Sequence, residues 1–538
     1  MLRHLCSIER ERITPKKKIF VDYIGAPHIL KDYFSFLPHE VDRAMENLTH
    51  KRRPIRGLKE YNKRLGAGEE TLKNIDLLER RDSFVAMTGQ QPGLLLGPLF
   101  TLYKAIHTIK LATHLSNLHN VKVIPIFWNA SDDDNWEEVS HLYLPEDEGV
   151  KRIEARVNGR FTGAPIGDIP LNSINIGEVL DHLSKNTIST EFKDEVLSLL
   201  YSSMDRSQGF AQYFSSLILA LLGRYGLVVF DPGGMEWGEV TKEMFRSEIN
   251  DPLTTTSILN DAAKRLSRDG YKPQIHKEGQ ICSLFLKEDR RRSGLRYEAP
   301  LFVSSKQRYS KEEIIEILDS DPSCLIPNVA LRPIVASMLF PVICYVGGPS
   351  EVSYYAQLKG VYERYRVMMP VIIPRASLTI VEPKVKRVME RVSIGPWDLR
   401  EDVDGLYHRL IKEKDRLGIE GDLDLLREKI REELGSIEER IIRFEPSLET
   451  LIRRTKRGIE YELKRLEDGL IKGIKERGKV LLGQIRRAKS LLYPNNDLQE
   501  RVFNIFYFLI KYGLNLVDDL YKAFPLDYKE HHYLSIEV

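Results

Sequence analysis

Between Glu401 and Ser490 the chain carries 22 Lys or Arg and 20 Asp or Glu in 90 positions, close to half charged against 29% over the whole sequence. Such a segment cannot enclose a core of its own, and most of it must face water. Its apolar residues still keep a seam: Ile437, Ile441, Phe444, Leu448 and Leu451 step by 4, 3, 4 and 3, and Ile459, Leu463, Leu466 and Leu470 by 4, 3 and 4. That spacing predicts coiled-coil helices. Pro446 can open a helix but not continue one, which places a break or tight turn between Phe444 and Ser447; Gly418 and Gly421 mark an earlier break. A single narrow stripe is buried only against itself or against a second chain, so a homodimer through this segment is the simplest expectation.

The preceding 380 residues follow a different rule. Short β-rich apolar runs, Phe84 to Thr88, Val121 to Asn129, Gly226 to Asp231, Ile343 to Val346 and Val371 to Pro374, alternate with amphipathic stretches. A parallel sheet covered on both faces produces this alternation. After the first run, Leu99, Leu102, Ile106, Ile109 and Thr113 recur at helical spacing. The reading is therefore an α/β chain: a parallel-sheet core over 1–380 with insertions near 151–205 and 240–323, a coiled-coil helical domain over 381–490, and a segment, 491–538, that regains aromatics and should pack back on the body.

Composition narrows the function. With 80 Lys or Arg against 78 Asp or Glu the net charge is +2, too little to hold a polyanion, so nucleic acid is not an expected partner. The opening MLRHLCSIERERITPKKK has no apolar stretch of signal-peptide length, and Leu217 to Phe230, broken by Arg224, is too short to cross a bilayer. Cys6, Cys282, Cys324 and Cys344 form no CxxC pair and no zinc spacing, which suits buried thiols and a cytoplasmic location. His531 and His532 read as part of a solvated tail.

Three runs could carry chemistry. In FVAMTGQQPGLLLGPLFTLYKAI, a strand passes through Gly89, Gln90, Gln91, Gly93 and Gly97 into a helix bearing Lys104. The glycines permit close approach, and free N–H groups at the helix start would favour a phosphate or carboxylate, although neither standard nucleotide fingerprint is matched. In VIPIFWNASDDDNWEEV, Trp128 and Asn129 end a strand before Asp132, Asp133, Asp134 and Asn135, with Glu138 beyond. Carboxylates this close need a cation, an amine or a basic side chain between them, and Mg²⁺ and a substrate amine are both candidates. Helix capping by Asn135 and Glu138 accounts for the same spacing. The third run, PNVALRPIVASMLFPVICYVGGPSEVSYYAQLK, contributes Asn328, Arg332, Gly347, Gly348, Glu351 and Tyr354, and Arg375 follows the next strand. Strands of such sheets end at one rim, so the three runs should converge on one pocket in which Gln91, Asp133, Arg332 and Gly348 meet.

At these residues the sequence resembles the BshC family, named as cysteine ligases of bacillithiol biosynthesis. The likeness runs in order through GQQPGLLLGPLFTLYKAI, PIFW with its acidic cluster, LRP…FP…YVGGPSEVSYYAQLK, MPVIIPR, the coiled coil and RVFNIFYFLIKYG. The resemblance implies a Rossmann-like core related to class I aminoacyl-tRNA synthetases and nucleotidyltransferases, with connecting insertions, a dimerising coiled coil, and a reaction joining cysteine to the amine of glucosaminyl-malate. The chain departs from the family pattern at Asp134, where the family carries histidine, and at Ala336 and Ser337. Activating a carboxylate for amide formation calls for ATP and Mg²⁺. In the expected mechanism Lys104 and Arg332 stabilise negative charge, the acidic run orients an ammonium group, and Asp133 or Glu138 takes a proton if burial raises its pKa. The alternatives are a synthetase-like or nucleotidyltransferase-like enzyme acting on another amine, or a non-catalytic, ligand-sensing coiled-coil adaptor.

Overall fold

The computed structural model describes residues 1–13, 17–49, 57–146, 149–235, 238–276, 279–406, 409 and 419–537. The chain divides into two units: 1–145, 150–380 and 498–538 form one, and 146–149 with 381–497 the other.

The first unit is built on a five-stranded parallel sheet: β1 (Ser83–Gln90), β2 (Lys122–Asn129), β3 (Val228–Phe230), β4 (Val342–Gly347) and β5 (Val371–Pro374), in the order β5-β4-β1-β2-β3. These are the five apolar runs, and their near-continuous burial follows from helices covering both faces. The chain builds outwards from β1 to β3, then returns to the other side of β1 for β4 and β5. That reversal creates a crevice between the carboxyl ends of β1 and β4, where ligands bind in folds of this kind. The β1–β2 register runs unbroken from Ser83 opposite Lys122 to Gln90 opposite Asn129, so both strands deliver their polar ends to the same rim.

Helix α1 (Leu99–His119) packs on β1 and β2. Within the predicted insertions, 151–205 holds helices Ile176–Lys185 and Lys193–Asp205, while 240–323 holds an antiparallel sheet whose strands include Ile281–Glu288 and Arg291–Glu298. A three-stranded sheet joins the chain ends, with Glu530–Ile536 between Leu2–Glu9 and Ser377–Val381. This corrects the expectation of a solvated histidine tail. His531 is fully buried in the middle strand, its ring bonded to the hydroxyls of Ser377 and Thr379 at 2.8 and 2.9 Å.

In the second unit, helices Ile419–Phe444 and Glu449–Leu492 are joined by a short turn at Pro446–Leu448. The helices fold back on each other. Arg427 meets Glu467 at 2.8 Å and Arg431 meets Glu460 at 2.6 Å, pairings that only an antiparallel hairpin allows. Gly421 lies inside the first helix and breaks nothing, while Gly418 and the side chain of Leu470 lie outside the described residues.

Candidate active site

Four loops at the carboxyl rim of the sheet, with helix α2 (Arg332–Leu339), enclose a cavity of about 480 Å³. Gln91, Asp133, Arg332 and Gly348 all line it, as the convergence of strand ends requires. So do Gly89, Gln90, Lys104, Trp128, Glu138, Glu351, Tyr354 and Arg375.

Arg332 sits at the start of α2 just before Pro333, which favours a first helical turn. Its Nε donates to Asp132 at 3.1 Å, and among the described residues this is the only hydrogen bond of its side chain. The two terminal nitrogens therefore keep their donors for whatever enters the cavity. Lys104 is the opposite case. Its Nζ donates to the Gly89 carbonyl and the Gln90 side chain, both at 2.9 Å, and pairs with Glu351 at 2.5 Å. An ammonium has three donors, and all three are occupied. Burial pulls the Lys104 pKa down, and Glu351 opposes that shift. The side chain thus ties β1 to helix α3 (Pro349–Tyr355) and positions the cavity wall.

The acidic run is neutralised from within. Arg292, on strand Arg291–Glu298, pairs with Asp133 at 3.0 Å and with Asp134, and donates to the Asp132 carbonyl at 3.2 Å. Arg332 takes Asp132. Of the three ways to hold these carboxylates together, the structure uses basic side chains, so the run does not fit a Mg²⁺ ion. Burial alone would raise the Asp133 pKa, but Arg292 and Arg332, with hydrogen bonds from Gln91 (2.9 Å) and the Asp134 amide, bring it below the usual value. Asp133 is therefore a poor proton acceptor, contrary to expectation. Asp132 moves up instead, because burial outweighs Arg332. Glu138 faces the cavity with one hydrogen bond among the described residues, from Asn135 at 3.1 Å. That contact replaces the predicted cap, since the Asn135 side chain caps no helix.

Six predicted residues do not line the cavity. Gly93 and Gly97 shape the turn instead: a Cβ on Gly93 would lie 2.8 Å from the Gly97 Cα, and Gly97 has φ +64°. Asn504 donates to the Leu95 and Gly97 carbonyls at 2.7 and 2.8 Å, and the Leu99 amide is bonded to the Phe503 carbonyl at 2.8 Å. The C-terminal segment thus takes the first amide of the helix start predicted to hold an anion. Asn129 donates to Ala211 and Ser215, both at 2.9 Å, while Asn328 accepts the amides of Ala330 and Leu331. Asp132 lies behind Arg332, and the Gly347 carbonyl accepts the Arg375 amide at 2.8 Å. Arg375 is 3% exposed and spends its terminal nitrogens on Glu500 (2.8 Å) and the Ala376 carbonyl (2.9 Å). Sequence reasoning missed Arg292, the aromatic wall of Phe100 and Tyr345, and Ser350 and Arg501 at the edge of the cavity. For the last two the signal was present, within GGPSEVSYY and RVFNIFYFLIKYG.

These features define a Rossmann-like α/β protein with a small-molecule cavity at its topological switch point and a coiled-coil domain. Residues 7–376 match the family model described as "Bacillithiol biosynthesis BshC, N-terminal Rossmann-like domain", and residues 378–536 match its C-terminal coiled-coil domain. The chain belongs to the BshC family. It is 31% identical to the "Putative cysteine ligase BshC" of Desulforamulus reducens, over 94% of this chain and 92% of that protein. Proteins of the same name from Carboxydothermus hydrogenoformans (31%, over 89% of each chain) and Bacillus cereus strain AH187 (26%, over 97% and 99%) are also similar. Among the described residues no helix is long and apolar enough to cross a membrane.

Proposed function

We propose that the chain is an amide-forming ligase that joins the carboxyl group of cysteine to the amine of glucosaminyl-malate, the last step of bacillithiol synthesis, in the cytoplasm. The observation that carries this reading is the unspent edge of Arg332, held by Asp132 inside a cavity whose rim also bears Glu138. The two terminal nitrogens hold the cysteine carboxyl oxygens and stabilise the oxyanion that forms as the amine attacks. Glu138, with no arginine partner among the described residues, receives the proton that the acceptor ammonium must lose. Asp133 stays ionised, orients the ammonium group and is itself held by Gln91 and Arg292.

A free carboxylate resists amines, and ATP supplies the remedy by converting it to an adenylate or acyl phosphate. At the helix start after Gly97, the Leu99 amide is taken by the Phe503 carbonyl and is not offered to a phosphate. As the C–N bond forms, the C–O bond to the activating phosphate would break and that phosphate would leave. The apolar residues Leu451, Tyr461 and Leu466 left exposed on the hairpin support a homodimer.

The test is incubation of purified protein with cysteine, glucosaminyl-malate and ATP, each omitted in turn, with mass detection of the thiol product. Arg332→Ala is expected to lower kcat by about 10²- to 10³-fold, the size of losing one oxyanion contact. Near-normal turnover in Gln91→Ala, Asp133→Asn and Arg332→Ala, all folded, would refute this site. Competing amines in the same assay separate this acceptor from others.

A further inference from the structure

The two chain ends meet at a polar cluster that the cavity does not use. Strand Glu530–Ile536 pairs with Leu2–Glu9, and Glu530 and His532, two residues apart on it, share one face. Asp527, in the turn just before the strand, brings a second carboxylate. A ring nitrogen of His532 and one oxygen from each of Asp527 and Glu530 all lie within 4.8 Å of one another. Each carboxylate spends one oxygen locally: Asp527 Oδ1 accepts the Lys529 amide at 2.8 Å, and Glu530 Oε2 accepts the Ser7 hydroxyl. The second oxygen of each has no hydrogen bond or ion pair among the described residues. Arg10, 1% exposed, attracts Asp527 but gives its guanidinium to the carbonyls of Arg375 and Tyr528. His532 is 7% exposed, and its Nε2 is shielded from water with no hydrogen-bond partner. A buried imidazole with unspent capacity, set against two carboxylates, matches the donor set of a divalent metal ion.

We propose that Asp527, Glu530 and His532 bind one divalent transition-metal ion, Zn²⁺ being the best fit, with water completing its coordination. The imidazole selects zinc over Mg²⁺ and Ca²⁺, which take oxygen ligands, and the two carboxylates match the double charge. Zinc ligands stand about 2.0–2.2 Å from the ion, so the donors must draw together by roughly an ångström, a movement open to the exposed Asp527 side chain. The ion fastens the turn at Asp527 to the strand of the chain end. Tyr528, next in sequence, holds Arg10 through its carbonyl, and Arg10 holds the carbonyl of Arg375 in the cavity wall. The site therefore braces that wall from behind and takes no part in the reaction.

The test is calorimetric titration of the full chain, first stripped with EDTA, with ZnCl₂, together with melting curves with and without the ion. The native chain is expected to bind one Zn²⁺ and to melt at a higher temperature when it is bound. Asp527→Asn and Glu530→Gln should each weaken binding at least tenfold and lose that rise in melting temperature. His532→Gln should abolish binding; should that variant fail to fold, Asp527→Asn, at an exposed position, decides the matter alone. Mg²⁺ and Ca²⁺ at equal concentration should not displace Zn²⁺. A native chain that takes up no Zn²⁺, native affinity in both carboxylate variants, or a preference for Ca²⁺ would overturn the site.

Discussion

Arg375 with Glu500 in the first unit and Arg427 with Glu467 in the second are the same chemical pair at the same 2.8 Å separation. Their surroundings differ completely. The first pair is 4% and 1% exposed, and each Glu500 oxygen accepts further hydrogen bonds, from Ser377 and from the Leu378 amide. The second is 22% and 39% exposed on a hairpin surface. Water screens the hairpin pair and can replace either partner, whereas nothing replaces Glu500 beside two buried arginines. The charged residues of the core therefore hold one geometry at a high cost of disruption, and those of the hairpin mainly keep two helices soluble and in register.

The sharpest way to break this comparison is Glu500→Ala. It leaves Arg375 and Arg10 buried without a carboxylate and should cost about 3–5 kcal/mol in denaturant unfolding. A loss below about 1 kcal/mol would show that water reaches the pair. Acid provides the next largest effect. Burial, helped by Arg375 and Arg10, lowers the His107 pKa to about 3, and burial lowers that of His531 to about 3 against the opposing pull of Glu500. Burial alone would raise the Glu500 pKa, but Arg375 outweighs it and brings the value to about 2. Groups whose folded pKa is depressed stabilise the fold above their unfolded value and lose that contribution as pH falls. The histidines should thus begin to destabilise the fold below pH 6.5, and Glu500 below 4.5. Melting temperature should fall steadily between pH 6.5 and 3, and His107→Gln should flatten the upper part of that slope. The smallest effect belongs to the hairpin: Arg427→Ala should cost less than about 1 kcal/mol and become undetectable at high salt.

The same contrast governs what could be read in advance. The five strands were legible because burial on both faces leaves unbroken apolar runs, and the hairpin because one stripe recurs with 4 and 3 spacing. Site residues at strand ends, such as Gln91 and Gly348, followed from the rule that parallel strands finish together. Arg292 did not, since it stands 159 residues from Asp133 on an antiparallel insertion and no local pattern links the two. Phe503, whose carbonyl takes the Leu99 amide at the helix start, gave no such sign either. His531 resembled a solvated tail because a polar terminus gives no sign that Leu2–Glu9 will pair with it.

The central claim is that the free edge of Arg332 serves chemistry rather than structure. Single-turnover formation of the cysteinyl amide from cysteine, glucosaminyl-malate and ATP, compared between the native chain and Arg332→Lys, tests it most directly. The account predicts product in the native reaction and a rate at least tenfold lower in the lysine variant, which keeps the charge but loses the planar fork, at an unchanged melting temperature. Equal rates in the two proteins would contradict it.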